Sequence, residues 1–157
     1  MRLLGVDFGF KRIGLAIAEA EHGVISPRPF LEASGKLASD AERLIEMARA
    51  EQVDRIVLGM PLEDGEEGRM ARICRTLAGH IRGGGFPVDL VDETLTSVEA
   101  DARILGSSEV RLRASQRRKL KDGEAARLIL ERYLSDEERR KTKEEAKKGR
   151  GAVTDGG

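Results

Sequence analysis

The chain has 157 residues, with 28 Lys+Arg balancing 28 Asp+Glu, so any anion site must be a local concentration of basic side chains. Aromatics make up only 3%, which excludes a wide stacking platform for single-stranded bases. The lone cysteine, Cys74, excludes a disulfide framework and a multi-cysteine zinc site, and the length fits one domain with one sizeable core.

Leu3 to Asp7 reads as a buried strand. RIGLAIAEA then alternates Ile13, Leu15 and Ile17 with Gly14, Ala16 and Ala18, the period-2 pattern of a second strand. The small residues would let a helix pack closely on that face. After a turn at Glu21–Gly23, Val24 to Glu32 reads as a third strand, placed at an edge by Pro27 and Pro29. Leu37, Ala41, Leu44, Ile45 and Ala48 fall at helical spacing, with Ser39 and Glu42 as a candidate capping box. RIVLGMP at 55–61 is an apolar strand; residues 65–82 read as a helix N-capped by Asp64, ending at Gly83-Gly84-Gly85. FPVDLVDE at 86–93 reads as a fifth strand. A helix from Thr96 to about Leu105, a basic loop at 107–121 and an amphipathic helix at 124–134 complete the order. From Asp136 the composition turns to mixed charge. That segment can prolong the helix for a few turns but cannot bury a core, and its end is expected to be disordered.

The order βββ-α-β-α-β-α-α predicts an α/β fold: a mixed five-stranded sheet, a three-strand antiparallel meander plus parallel strands, flanked by helices, in the order of a ribonuclease H-like fold. The predicted domain is 1–135, with 136–157 a charged tail. Arg2 precedes an apolar run too short for a signal peptide, and no stretch approaches the roughly 20 apolar residues of a spanning helix, so a cytoplasmic protein is expected.

The opening VDFGFKR allows three readings: a kinase D-F-G, the phosphate-binding turn of a sugar-kinase or actin-type ATPase, or the first metal ligand of a nuclease. Only six residues precede Asp7, so the Gly-rich loop and lysine of a protein kinase have no place. The chain is also too short for the second lobe of the ATPases. For the nuclease reading, Asp7 and Glu93 both end strands. Parallel strands 1, 4 and 5 would bring them to one sheet edge, backbones about 10 Å apart. Asp122, at the start of the last helix, can join them if that helix docks across the edge. Three clustered carboxylates repel one another unless a cation lies among them. All-oxygen ligation suits Mg²⁺ or Mn²⁺, and two such ions can clamp a phosphodiester. Each residue also has a plain reading: a strand end, a solvated acid and an N-cap.

The segments GVDFGFKRIGLAIA, VLGMPLEDGEEG, VDETLTSVEA and RRKLKDGEAARLIL resemble, in order and spacing, those of the RuvX/YqgF family. These are bacterial ribonuclease H-like proteins described as candidate Holliday junction resolvases and as pre-16S rRNA nucleases. The resemblance covers about residues 1–135. It implies an acidic triad at Asp7, Glu93 and Asp122, a basic pair at Lys11-Arg12, and a glycine-containing loop at Gly59-Met60-Pro61-Leu62 with Gly65 and Gly68. Thr94 stands where the family often has Arg, Phe10 where a small or hydroxyl residue is common, and Lys121 where a hydrophobic one is.

Arg111, Arg113, Arg117, Arg118, Lys119 and Lys121 cluster ahead of Asp122. With Lys11 and Arg12 they are the expected contacts to a phosphate backbone. The basic tail residues are interleaved with acids and read as solvated. Gly65 and Gly68 read either as a helix-start phosphate cradle or as a plain turn. Cys74 reads as packing, and His22 and His80 have no metal-binding spacing. The expected activity is a metal-dependent endonuclease acting on structured nucleic acid, with the resemblance implying 5′-end processing of pre-16S rRNA. The alternatives are a Holliday junction resolvase, which should act as a homodimer, and a non-cleaving RNA-binding assembly module.

Overall fold

The computed structural model describes residues 1–95 and 123–154. Arg2–Phe8 (β1), Arg12–Glu19 (β2) and Val24–Glu32 (β3) form the predicted antiparallel meander. The β1–β2 turn is closed by the Gly9 amide donating to the Arg12 carbonyl at 3.0 Å. Leu37–Ala50 (α1) leads to Arg55–Glu63 (β4), Arg69–Gly83 (α2) leads to Val88–Leu95 (β5), and Glu124–Thr154 is a final helix, α3. The sheet order is β3-β2-β1-β4-β5, with β4 parallel to both β1 and β5. Proline-bearing β3 lies at an edge, where missing amide donors cost no ladder bonds. This is the mixed ribonuclease H-like sheet that the element order predicts.

Alternation along the strands divides the core into two faces. Leu4, Val6, Phe8, Ile13, Leu15, Ile17, Ile56 and Leu58 face α1 and α2, with Leu44, Cys74, Leu77 and Ile81 packed against them. Leu3, Ala16, Ala18, Val57 and Val91 face α3, meeting Ala126, Ile129 and Leu130. The first face is built of large side chains and two helices. The second is built of small ones and a single helix pressed close.

That close approach has visible seats. A Cβ on Gly5 would lie 2.6 Å from Leu130 Cγ and 2.8 Å from the Ala126 carbonyl. At Gly123, with φ +89°, a Cβ would lie 2.5 Å from the Leu15 carbonyl, so the chain enters α3 pressed against β2. From there α3 crosses the whole sheet and contacts all five strands.

Two local readings are corrected. The Ser39–Glu42 capping box does not form: the N-cap of α1 is Lys36, and Ser39 lies inside the first turn. No side chain caps α1; Asp40 in its first turn, 1% exposed, instead ties down the preceding loop by accepting the Ser34 amide at 3.0 Å, and pairs with Arg43. Asp64 is not the N-cap of α2. Asp64 (φ 50°) and Gly65 (φ 84°) form a left-handed two-residue turn closed by reciprocal Glu63–Glu66 backbone bonds, the usual reading of Asp-Gly in a hairpin. α2 therefore starts later, with Gly68 as its N-cap. α3 prolongs past the amphipathic segment, as the sequence allows, and runs to Thr154; none of the described side chains beyond Leu134 packs on either core cluster. The predicted helix at 96–105 and the basic loop at 107–121 lie outside the described residues.

Candidate active site

Asp7 is the third residue of an alternating set, Leu3-Gly5-Asp7, on the α3 face of β1. On β5 the corresponding set is Asp89-Val91-Glu93. The two predicted carboxylates therefore share a face as well as an edge.

β4 lies between them. Val6 pairs with Leu58, which sets Asp7 level with Gly59 on the neighbouring strand. Gly59 pairs with Val91, and Glu93 pairs with Pro61, two residues further along. Glu93 nevertheless reaches back: its Oε2 lies 3.2 Å from where a Cβ of Gly59 would stand. The carboxylate thus lies over β4, one strand spacing of about 4.8 Å from the backbone that carries Asp7. The backbones are two spacings apart, as expected, and the long side chain of Glu93 closes half the gap.

Glycines keep this space open. Gly59 carries no side chain beneath Glu93, and its missing Cβ would also collide with Ile129 of α3. Gly14 is the register partner of Asp7, and a Cβ there would lie 3.5 Å from Asp7 Cβ and 3.9 Å from Asp7 Oδ2. The donors brought to this face are carboxylate oxygens, a donor set that suits a hard divalent cation such as Mg²⁺ or Mn²⁺. Among the described residues no group of three or more His, Cys, Asp or Glu is gathered to hold a metal ion. Asp122 lies outside the described residues. Its chain neighbour Gly123 rests on Leu15 of β2 and Pro27 of β3.

Of the predicted backbone contacts, Lys11 and Arg12 fall among the described residues. Lys11 is exposed at the β1–β2 turn. The Arg12 guanidinium stacks over the Phe30 ring at 4.3 Å, which holds it flat on the site's face of the meander. Arg111, Arg113, Arg117, Arg118, Lys119 and Lys121 lie outside the described residues.

The phosphate cradle allowed for Gly65 and Gly68 does not form. Gly65 belongs to the turn, and the Glu63 carboxyl group packs against Gly68 at the start of α2. The positive end of that helix already faces an anion. Nothing short of the fold would have revealed Glu63 in this place.

Sequence reasoning also missed the clamp beyond Glu93. Tyr133 of α3 donates its hydroxyl to Asp89 Oδ2 at 2.6 Å, and Arg55 of β4 donates to Asp89 Oδ1 at 3.0 Å. This fixes α3 across β5 on the face that carries Glu93. Burial, then the bond to Asp89 and the negative charge of Asp89 and Glu137, push the Tyr133 phenol above its ordinary 10.0. The raised value means that the contact stabilises the fold fully below pH 10.0 and weakens only as pH climbs through the folded-state value. Tyr133 is the only tyrosine in the chain, so tyrosinate absorbance reads it alone. The folded chain is expected to show none at pH 10.0, where an unfolded sample is half ionised. Ionisation of the folded protein at the ordinary value would mean that the clamp is not held.

A family model described as "RuvX: Holliday junction resolvase" matches residues 1–136. A candidate pre-16S rRNA nuclease of Maridesulfovibrio salexigens is 36% identical over 137 residues, covering 86% of this chain and 98% of the relative. A protein of the same name from Anaeromyxobacter dehalogenans strain 2CP-C is 39% identical over 136 residues, covering 85% of this chain and 96% of the relative. Among solved structures, Thermus thermophilus RuvC superposes with a TM-score of 0.41 at 14% identity, covering 59% of this chain and 64% of that one.

Proposed function

The chain belongs to the RuvX family, and from that premise and the paired strand-end carboxylates we propose that it is a divalent-metal-dependent endonuclease. Its substrate in this reading is the 5′ end of pre-16S rRNA, processed in the cytoplasm during ribosome biogenesis. The observation that carries the proposal is the Glu93 carboxylate, turned back over side-chain-free Gly59 toward the strand of Asp7. A solvated loop acid would have no reason to lie there.

In this mechanism Asp7, Glu93 and Asp122 would hold Mg²⁺ or Mn²⁺, which would supply activation of a water and charge stabilisation at the leaving oxygen of the phosphodiester. The carboxylates fix position and neutralise charge, and no covalent nucleophile is required. Lys11, Arg12 and the basic segment of Arg111, Arg113, Arg117, Arg118, Lys119 and Lys121 hold the phosphate backbone without reading sequence. The nuclease domain spans 1–135, and 136–157 is a charged appendage to it. Among the described residues no helix is long and apolar enough to cross a membrane.

The deciding experiment offers a precursor 16S 5′ end and a four-way DNA junction side by side, with Mg²⁺, Mn²⁺ or chelator. The expected result is metal-dependent cleavage of the RNA and an intact junction. Paired symmetric cuts in the junction by a homodimer would favour the second reading, a resolvase, which the family's description supports. RNA binding without hydrolysis under every metal condition would make the chain a non-cleaving assembly module.

A further inference from the structure

The chain has five aromatic side chains: four Phe and one Tyr. Phe8 and Phe86 are buried in the core, 6% and 9% exposed. Tyr133 is bonded to Asp89, and Phe30 lies beneath the Arg12 guanidinium. Phe10 alone is open, with 45% of its surface in solvent. It sits with Lys11 at the tip of the β1–β2 turn, three residues after Asp7.

A single exposed apolar side chain needs no explanation by itself. Its position supplies one here. A two-residue hairpin loop is ordinarily filled by polar residues or glycine, so a phenyl ring at its tip has no folding task. Three residues of chain reach no more than about 11 Å, which keeps Phe10 within about three nucleotides of a phosphate held at Asp7, at 3.4 Å per nucleotide. Lys11 beside it offers an ammonium to the backbone at the same place.

We infer that Phe10 stacks on an unpaired nucleobase flanking the scissile phosphate, so that this chain requires its substrate to be single-stranded or opened at the cut. The inference rests on the nuclease reading above and deepens it. Bases inside a duplex already have both faces covered by their neighbours, so a lone ring gains a partner only where a base is free. One ring is enough for one base, and the chain's poverty in aromatics is no objection.

The chain contains no Trp, so Phe10→Trp installs a single fluorescent reporter at this tip. The test uses that substitution in an Asp7→Asn background, to prevent cutting. A labelled RNA unpaired around the cut and a fully paired duplex of the same length are compared, and binding is followed independently by anisotropy. The expected result is quenching by the unpaired RNA alone. Phe10→Ala should bind that RNA about 5- to 100-fold more weakly while its duplex affinity stays unchanged. Anisotropy that reports binding of the unpaired RNA without quenching, or equal affinity of Phe10→Ala for it, overturns the inference and leaves the nuclease reading standing. Failure of the wild-type chain to bind either RNA overturns both.

Discussion

Asp7→Asn is expected to lower metal-dependent cleavage by at least about 100-fold, in line with removal of one preorganised electrostatic group from an active site. The substitution keeps shape and removes charge. Asn offers one neutral oxygen where the carboxylate offers two anionic ones, which weakens any hard cation held between β1 and β5. Asn has the shape of Asp, and Gly14 puts no side chain against residue 7 from β2. Thermal unfolding and RNA binding should therefore stay close to wild type while single-turnover cleavage falls. Glu93→Gln should behave alike. Because both residues serve one site, the double variant should be little worse than either single one. Cleavage that survives Asp7→Asn at a wild-type rate would sink the assignment.

Gly59 and Gly5 separate two tasks of the same helix seat. Gly5→Val is expected to cost about 1–3 kcal/mol through overpacking, because its side chain meets both Leu130 and the backbone carbonyl of Ala126. A domain of this size loses about 2–4 °C of Tm for each kcal/mol. Molecules that remain folded keep the carboxylates in place, so activity per folded molecule should change little. Gly59→Ala meets the flexible end of Ile129, which can turn aside, and the Glu93 carboxylate, which would have to move. A displacement near 1 Å at a reacting centre can cost about 100-fold. Its Tm should therefore fall less than that of Gly5→Val and its turnover far more. Calorimetry and cleavage kinetics on both variants check this, and an inactive Gly5→Val with normal Tm would contradict it.

What could be read from the residues, and what could not, follows from the kind of pattern each feature leaves. The meander was readable because Ile13, Leu15 and Ile17 alternate with small residues, and Pro27 and Pro29 mark an edge. The nearness of Asp7 and Glu93 to the ends of their strands was readable from where the apolar runs stop, although β1 continues to Phe8 and β5 to Leu95. Gly5 and Gly59 were not, since a strand glycine signals a close approach without saying to what. Asp64 was misread because Asp is equally at home as an N-cap and in a left-handed turn, and only the following Gly65 decides between them. That α3 could be prolonged was readable, but how far was not, because burial sets no limit there. Beyond Leu134 it is rich in Glu, Lys and Arg, good helix formers, with local pairs such as Glu137–Arg140 that leave no mark on a hydrophobic pattern.

The passage of α3 over every strand also fixes an order in time. During synthesis the N-terminal parts emerge first, so β1 to β5 can be assembled and covered on their α1–α2 face while α3 is still unmade. Leu3, Ala16, Ala18, Val57 and Val91 then remain open to water until residues 126–130 arrive. Contacts such as Gly5 with Leu130 join the two ends of the domain, the kind of distant closure that slows folding. The seat that brings Ile129 down beside Glu93 is among the last to close. An interrupted chain would thus carry Asp7 and Glu93 without the helix that frames them, and cleavage competence is tied to completion of the polypeptide.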